Sequence, residues 1–305
     1  MHGQRSQKLP RERRQWRQLF TFNIRSKIVF PYLILTVVVA IVGTYVVTSL
    51  VASSLDERLT NHLLEAGRVV SDSLATQDID QLGAARMVAF TRDLAEALSA
   101  GDYEQVVDLA QPAAAGLKLE CVIVVDAAGR EAMHLLRQED GSYRLLAGQG
   151  ERSRLSLAHA LLALNDPNAL PKRGIGQHPA DQRYYYFTAI PIAPNNRIAG
   201  VITVGTSLDT LLPRFKSSSL AEVIIYLDSR VVATTFAFPD QPVGEGALLE
   251  EISITSALYE QTLAEGEMVT SGENLNIRGR RYRLARGPLR VGNEQLGVFA
   301  VALPS

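Results

Sequence analysis

Cysteine and tryptophan are almost absent from this 305-residue chain, which contains one of each. A single cysteine, Cys121, can form neither an intrachain disulfide nor a CxxC metal site. Because it lies in the apolar run Leu119–Val125, we expect it to act as a small buried hydrophobic residue, with a reactive thiol as the alternative. Stability is therefore expected to come from the hydrophobic core alone.

Motifs of catalysis and metal binding are also missing. The sequence has no HExxH, no phosphate-binding GxxxxGK[ST], no GxSxG and no Cys/His cluster with zinc spacing. No two of its five histidines are three or four residues apart, so none forms a helical metal-binding pair. These histidines are His2, His62, His134, His159 and His178. We therefore predict no catalytic residues, no metal and no cofactor, and an exported hydrolase is the least favoured function.

Acidic residues are scarce at the N-terminus. Residues 1–27 carry eight basic side chains and one acidic one, which leaves a net charge of −8 for the rest of a chain whose total is −1. A basic terminus can bind nucleic acid, but this one adjoins a long apolar segment. That placement favours a basic cytoplasmic tail over residues 1–27 and predicts no nucleic-acid partner.

No charged residue occurs between Lys27 and Asp56. At about 1.5 Å per residue, the apolar run Ile28–Leu50 covers the ~30 Å core of a bilayer, so residues 28–52 are predicted to form a transmembrane helix. A signal peptide cleaved after residues 51–53 and the core helix of a soluble protein are the alternatives. The basic residues before the span predict a cytoplasmic N-terminus and an extracytoplasmic body, with one span in this chain.

Helical periodicity continues after the span. Leu55, Leu59, Leu63 and Ala66 recur at steps of three and four residues, which predicts a continuous helical rod to about Ala75. Further helices are expected at about Ile79–Ser99, ending before Gly101, and at Tyr103 to about Ala115, so that residues 53–116 form a helical stalk. The apolar stripe could face a twin helix in a homodimer or pack within its own chain.

Period-two patterns dominate after residue 117 and predict antiparallel strands. The first set predicts two hairpins separated by a short helix and a Pro/Gly-rich loop that reaches Asp181; the second set repeats the order strand pair, helical cover and strand triplet. We therefore predict an α+β fold with two related modules in tandem, at residues 117–219 and 220–305. The predicted segments are Glu120–Asp126, Arg130–Arg137, Tyr143–Ala147, helix Ser153–Leu164, Arg183–Ile192, Arg197–Thr206, a helix from Ser207, Glu222–Asp228, Arg230–Thr235, helix Leu248–Ala264, Glu273–Arg278, Arg281–Gly287 and Gln295–Ala302.

Three aromatic or hydroxyl side chains share one face of a predicted strand, namely Tyr184, Tyr186 and Thr188. Such residues suit a half-buried sheet and also a small-molecule pocket. Two nearby cations, Arg137 and Arg152, could add selectivity for a carboxylate, although the solvated charge is the favoured interpretation of each. These five residues are the predicted ligand-binding set.

The run Ile123–Asp126 with Gly129 and Arg130, and above all Tyr186–Ile192 followed by Arg197–Leu208, resembles the extracytoplasmic double Cache sensors of bacterial membrane receptors. The resemblance implies a transmembrane helix, a long rod and two PAS-like Cache modules, with residues 117–219 membrane-distal and 220–305 membrane-proximal. It also implies a sensor that binds a small molecule in the distal module and passes a conformational signal across the membrane. The Tyr/Arg/Trp/Tyr/Asp signature of amino-acid-binding members is not found, because the only tryptophan is Trp16 in the tail.

Receptors of this kind usually return through a second span to a kinase, cyclase or chemotaxis output domain. The sequence reaches Ser305 directly after a predicted strand, so we expect it to be the sensory part of a longer receptor. The alternative function is a membrane-anchored exported module that binds another protein and no small molecule.

Overall fold

The computed structural model describes residues 24–146, 148–236, 245–277 and 279–305. The predicted basic tail, residues 1–27, lies outside the described residues apart from its last four. The chain divides into two units at Arg58, and each is described by itself below.

The first helix, α1, spans Ile24–Ala89. Its part before Leu59 contains the segment that is long and apolar enough to cross a membrane, with a mean hydropathy of 2.4 over its most apolar stretch. None of that stretch is buried, and large apolar side chains such as Tyr45 are up to 73% exposed. The predicted apolar helix is therefore present, and its side chains offer a surface suited to lipid.

The end of α1 differs from the prediction. The helix does not stop near Thr76 but continues to Ala89, and the separate helix expected at Ile79–Ser99 is replaced by the end of α1 and a short α2, Leu94–Ala100. Neither Pro nor Gly interrupts residues 76–79, so nothing there ends the helix. The break comes instead at Asp93, whose φ of 63° is left-handed. Helix α3, Tyr103–Gly116, follows as expected.

Six antiparallel strands form the first sheet, in the order β3-β2-β1-β6-β5-β4. Both predicted hairpins are confirmed, since β1 pairs with β2 and β5 pairs with β6. A single 3-10 turn, Pro194–Asn196, lies between β5 and β6. The strands are β1 Cys121–Asp126, β2 Glu131–Arg137, β3 Tyr143–Leu145, β4 Lys172–Gln177, β5 Tyr184–Ile192 and β6 Gly200–Ser207.

Strand β4 corrects the prediction of a Pro/Gly-rich loop up to Asp181. It pairs with β5 along its whole length, with Ile175 opposite Tyr186. The glycines of β4 explain why the strand was not predicted. Glycine is unfavourable inside a strand unless another group packs closely against the backbone at that position. Gly174 meets that condition, since a Cβ atom there would lie 3.2 Å from the Leu157 side chain of the helix Ser156–Leu164.

Helices cover the first sheet on both faces. Helix α4, Ser156–Leu164, packs on the face that carries Cys121 and Phe187, while α1, α2 and α3 pack on the face that carries Val122 and Val124. Helix α5, Leu208–Ser219, then leads to the second sheet. Ser207 caps this helix, because its hydroxyl accepts a hydrogen bond from the backbone N–H of Asp209.

The second sheet has the order β8-β7-β11-β10-β9. When β3 is left out and the strands of each sheet are numbered in chain order, the two sheets have the same strand order. This confirms the predicted tandem repeat and the α+β class. The predicted single helix at Leu248–Ala264 is two helices, with a break at residues 252–255. The elements are β7 Glu222–Leu227, β8 Arg230–Thr234, α6 Glu245–Glu251, α7 Ser256–Glu265, β9 Val269–Ile277, β10 Arg280–Val291 and β11 Glu294–Pro304.

The apolar stripe of α1 is only partly free for a partner helix. Leu63 and Ala66 are 1% and 4% exposed and lie in the core that α1 shares with α5 and the second sheet. These two residues therefore pack within their own chain, against α5 and the second sheet. Leu55, by contrast, is 56% exposed.

Candidate functional site

A cavity of about 300 Å³ lies beside the end of the first sheet. Its walls come from strand β2, the segment between β3 and α4, and the segment after β4. Two arginines, Arg152 and Arg154, line it together with two acidic residues, Glu131 and Glu151. The lining residues are Glu131, His134, Leu146, Gly148, Glu151, Arg152, Arg154, Pro179 and Ala180.

Three potential metal ligands converge next to this cavity. Cys121 lies on β1, His134 on the neighbouring strand β2, and His178 immediately after β4. The sulfur and the nearest ring nitrogens all lie within 4.8 Å of one another. Cys121 and His178 are fully buried and His134 is 7% exposed, so the cluster sits beneath the sheet surface with only His134 reaching the cavity.

Each of the two histidines is held by a carboxylate. The Nδ1 of His134 lies 3.0 Å from Oε2 of Glu131, and the Nδ1 of His178 lies 3.1 Å from Oδ1 of Asp181. Asp181 is itself fixed by the Tyr185 hydroxyl, which donates to its other oxygen at 2.7 Å. The two Nε2 atoms then face each other at 2.8 Å. This arrangement orients both rings toward a common point.

Burial shifts the pKa values of Cys121 and His178. It raises the pKa of the Cys121 thiol, and nearby carboxylates, Asp181 first, add to the effect. Burial and the neighbouring His134 lower the pKa of His178. Burial alone would raise the pKa of Glu131, but the hydrogen bond and charge of His134 outweigh it and hold this pKa below its usual range.

Sequence reasoning missed this cluster. The three residues are far apart in the chain, on three different elements, and show no metal-binding spacing. His178 reaches the others only because β4 is a strand at the edge of the sheet, and that segment was predicted to be a loop. Sheet pairing accounts for two of the three: Ile123 lies opposite His134, which places Cys121 and His134 on one face of neighbouring strands.

The predicted ligand-binding residues do not share one pocket. Tyr186 and Thr188 are fully buried on the opposite face, where the Tyr186 hydroxyl donates to Asp78 at 2.6 Å and Gln81 lies 3.3 Å from the Thr188 hydroxyl. Both partners belong to α1. Tyr184 is half-buried and packs on the core around that helix. On this face of the sheet, Tyr184, Tyr186 and Thr188 therefore contact other residues of the same chain.

The two predicted cations lie in separate places. Arg152 lines the 300 Å³ cavity. Arg137 lines a second hollow of about 250 Å³, together with Tyr185 and Arg183. The ligand-binding role of the predicted set stays a prediction, and Arg152 is the member beside the cavity described above.

A charged network connects the two sheets with α1. The guanidinium of Arg173, on β4, donates to both oxygens of Asp78 at 2.7 and 2.9 Å. The backbone N–H of Arg173 donates to Glu294 at 2.7 Å, and Lys172 lies 3.4 Å from the other oxygen of that carboxylate. Because Glu294 begins β11, strand β4 touches both the long helix and the second sheet.

A family model described as the double sensory domain of two-component sensor kinase matches residues 54–305, most of the chain. No match to a curated protein is found.

Solved sensory domains share this fold. Methyl-accepting chemotaxis protein X superposes with a TM-score of 0.56 at 17% identity, covering 84% of this chain and 99% of that chain. A domain described as that of a sensory box/GGDEF family protein from Vibrio parahaemolyticus gives 0.55 at 12% identity, covering 82% and 96%. The ligand-binding domain of the Campylobacter jejuni chemoreceptor Tlp3, in complex with L-valine, gives 0.51 at 12% identity, covering 85% and 95%. At these identities the similarity concerns the fold.

Proposed function

Because this chain belongs to the double Cache family of sensory domains, we propose that it is the ligand-sensing region of a transmembrane signal-transduction receptor. In this proposal residues 28–52 span the membrane, residues 53–116 form the stalk, and residues 117–219 and 220–305 are the distal and proximal modules. The N-terminus is cytoplasmic and the modules are extracytoplasmic, as the basic tail favours.

The cavity beside β2 carries this proposal. Its volume of about 300 Å³ is at the small end of the range of ligand sites, which suits a compact metabolite. Arg152 and Arg154 both line it, and guanidinium groups bind carboxylates through paired hydrogen bonds. We therefore propose a small carboxylate as the ligand, with Arg152 as a direct contact.

Strand β4 provides a route from the cavity to the long helix. The segment that follows this strand contributes Pro179 and Ala180 to the cavity, while Arg173 near its start holds Asp78 of α1. A ligand that binds the cavity more tightly when β4 is in one position than in another would increase the population of the first position. Tyr186 and Thr188 belong to this linkage, because they bond to the same helix. In this proposal, β4 and its contacts with α1 form an element with two states, and ligand binding in the cavity shifts the population between them.

Thermal unfolding of the full chain in lipid nanodiscs tests the ligand proposal. A library of small carboxylates should contain at least one that raises the melting temperature, because a ligand at about 100 times its Kd adds ~2.7 kcal/mol to the free energy of unfolding. The double variant Arg152→Gln, Arg154→Gln should weaken that ligand about tenfold or more, since a hydrogen bond to a charged group contributes ~1.5–3 kcal/mol.

The control variant is Arg144→Gln, which removes an exposed arginine of β3 that is not part of the cavity lining. It should bind the same carboxylate as the unmodified chain does. If no carboxylate raises the melting temperature, or if the double variant binds as tightly as the control, the cavity is not the sensing site.

A further inference from the structure

We propose that Cys121, His134 and His178 form a binding site for a divalent transition-metal ion of the zinc class. The site goes beyond the sensing of a small carboxylate and does not require it. Its donor set is one sulfur and two imidazole nitrogens from three different elements of the first sheet. Zinc is bound by such sets with tetrahedral geometry.

The orientation of the two rings is the first argument. A carboxylate can only accept hydrogen bonds, so Glu131 and Asp181 place the ring proton on Nδ1 of His134 and His178. The Ala180 N–H is farther from the His178 Nδ1, at 3.4 Å, than the Asp181 oxygen is, at 3.1 Å. When both rings are neutral, as metal ligands are, their Nε2 atoms present lone pairs to each other at 2.8 Å. Two facing lone pairs repel each other unless a proton or a metal ion lies between them.

The carboxylates supply the second argument. Ligating histidines almost always donate their other ring N–H to a carboxylate or carbonyl, which fixes the tautomer and makes the nitrogen a better donor. Both histidines here have such a partner. The Tyr185 hydroxyl and the Arg183 N–H in turn hold Asp181.

The spacing requires a small opening of the cluster. Zn–N bonds of about 2.0–2.1 Å in a tetrahedral site place two nitrogens about 3.3 Å apart, against 2.8 Å for the two Nε2 atoms. Separation of the rings by about half an ångström therefore admits the ion. The Cys121 thiol loses its proton to solvent on binding, because the thiolate is the ligand.

The chemistry of the donors defines which ion binds. Mg²⁺ and Ca²⁺ select oxygen ligands and are bound poorly by imidazole and thiolate. Three protein ligands leave one tetrahedral position, as in zinc sites that keep an open position. Since His134 reaches the cavity while Cys121 and His178 are fully buried, the open position faces the cavity.

Metal analysis of the purified full chain in detergent tests the site. After removal of metal with a chelator, addition of Zn²⁺ alone should restore one ion per chain, and Mg²⁺ should not compete. Co²⁺ in place of Zn²⁺ should give the absorption of a thiolate-to-cobalt bond. Cys121→Ala should abolish that absorption, and His178→Ala should abolish stoichiometric binding.

Variants that keep all three donors separate the site from simple misfolding. Glu131→Gln and Asp181→Asn should each weaken Zn²⁺ binding about 10–100-fold, with near-normal circular dichroism. His62→Gln, at an exposed histidine of α1, is the matched control and should bind as the unmodified chain does. The proposal is overturned if Zn²⁺ does not bind stoichiometrically, or if Cys121→Ala binds Co²⁺ with an unchanged spectrum. Either result leaves carboxylate sensing untouched.

Discussion

Asp126 holds the end of β1 against the turn that follows it and against α3. One carboxylate oxygen accepts hydrogen bonds from the backbone N–H groups of Ala128 and Arg130, both at 2.9 Å. The other accepts from the Tyr103 hydroxyl at 2.7 Å and the Arg130 guanidinium at 2.9 Å. Burial alone would raise the pKa of Asp126, but these bonds outweigh it and hold the pKa below its usual range.

Asp126→Asn should lower the free energy of unfolding by about 1–3 kcal/mol at neutral pH. The asparagine amide has a single oxygen that accepts hydrogen bonds, where the carboxylate has two, and it carries no charge. A lowered native pKa stabilises the fold above the unfolded value of about 3.9 and loses that contribution as pH falls through the native pKa. Denaturant unfolding should therefore show a constant gap between variant and unmodified chain from about pH 8 to 5 that narrows below about pH 4.

The exposed turn residue Asp140 gives a matched control. Its carboxylate accepts hydrogen bonds from the backbone N–H and the hydroxyl of Ser142, and its exposure makes those bonds weak contributors. Asp140→Asn should therefore leave stability nearly unchanged. A gap for Asp126→Asn that stays the same down to the lowest pH would show that the charge of Asp126 does not stabilise this turn.

At the scale of the elements, the strands with strong alternation were predictable and the weakly patterned ones were not. Strands β1 and β2 flank Ala127-Ala128-Gly129, whose left-handed glycine at φ 81° closes the turn, and both follow from the local pattern. Strand β4 does not, because Gly174 and Gly176 lower its intrinsic preference and its stability comes from pairing with β5 and from contacts of Arg173 with distant residues. The Cys/His cluster was hidden for the same reason, since His178 is positioned by that strand.

Two glycines of different elements should respond oppositely to alanine. Gly83 lies near the C-terminal end of α1, with no atom within 4 Å of an added Cβ, so Gly83→Ala should stabilise the fold by about 0.4–1 kcal/mol. Gly200 begins β6, where an added Cβ would collide with the carbonyl oxygen of Val125. Gly200→Ala should destabilise by about 1–3 kcal/mol, because backbone must move.

Thermal or denaturant unfolding of both variants measures the contrast, and each serves as the control for the other. If Gly200→Ala were neutral, β1 and β6 would not approach as closely as their pairing of Asp126 with Gly200 indicates. A destabilising Gly83→Ala would show that α1 does not run helically through this position.

At the scale of the whole molecule, the two sheets share a strand order but differ in what they offer. The first sheet has the extra strand β3, the 300 Å³ cavity and the Cys/His cluster; the second contributes the core that buries α1 residues Val70 and Leu74. The repeat was predictable from the recurring order of segments. The contact between the modules through Arg173 and Glu294 was not, because it joins side chains whose positions depend on the complete fold.

The stalk is proposed to form a homodimer, and the exposure of α1 limits where the seam lies. Leu55 is 56% exposed whereas Leu63 is 1% exposed within its own chain. Leu55→Cys should therefore cross-link two chains in intact cells treated with a membrane-impermeant bis-maleimide, and Leu63→Cys should not. Native Cys121 is fully buried and should give no background.

The same experiment separates the dimer from the membrane topology. Labelling of Leu55→Cys by an impermeant mono-maleimide places this end of the stalk outside the cell, and loss of labelling would contradict the extracytoplasmic assignment. Labelling without a cross-linked pair would contradict the dimer alone. A cross-link at Leu63→Cys that matches Leu55→Cys would mean that the core around α1 opens, because a side chain packed among α5 and the second sheet is out of reach of a partner helix.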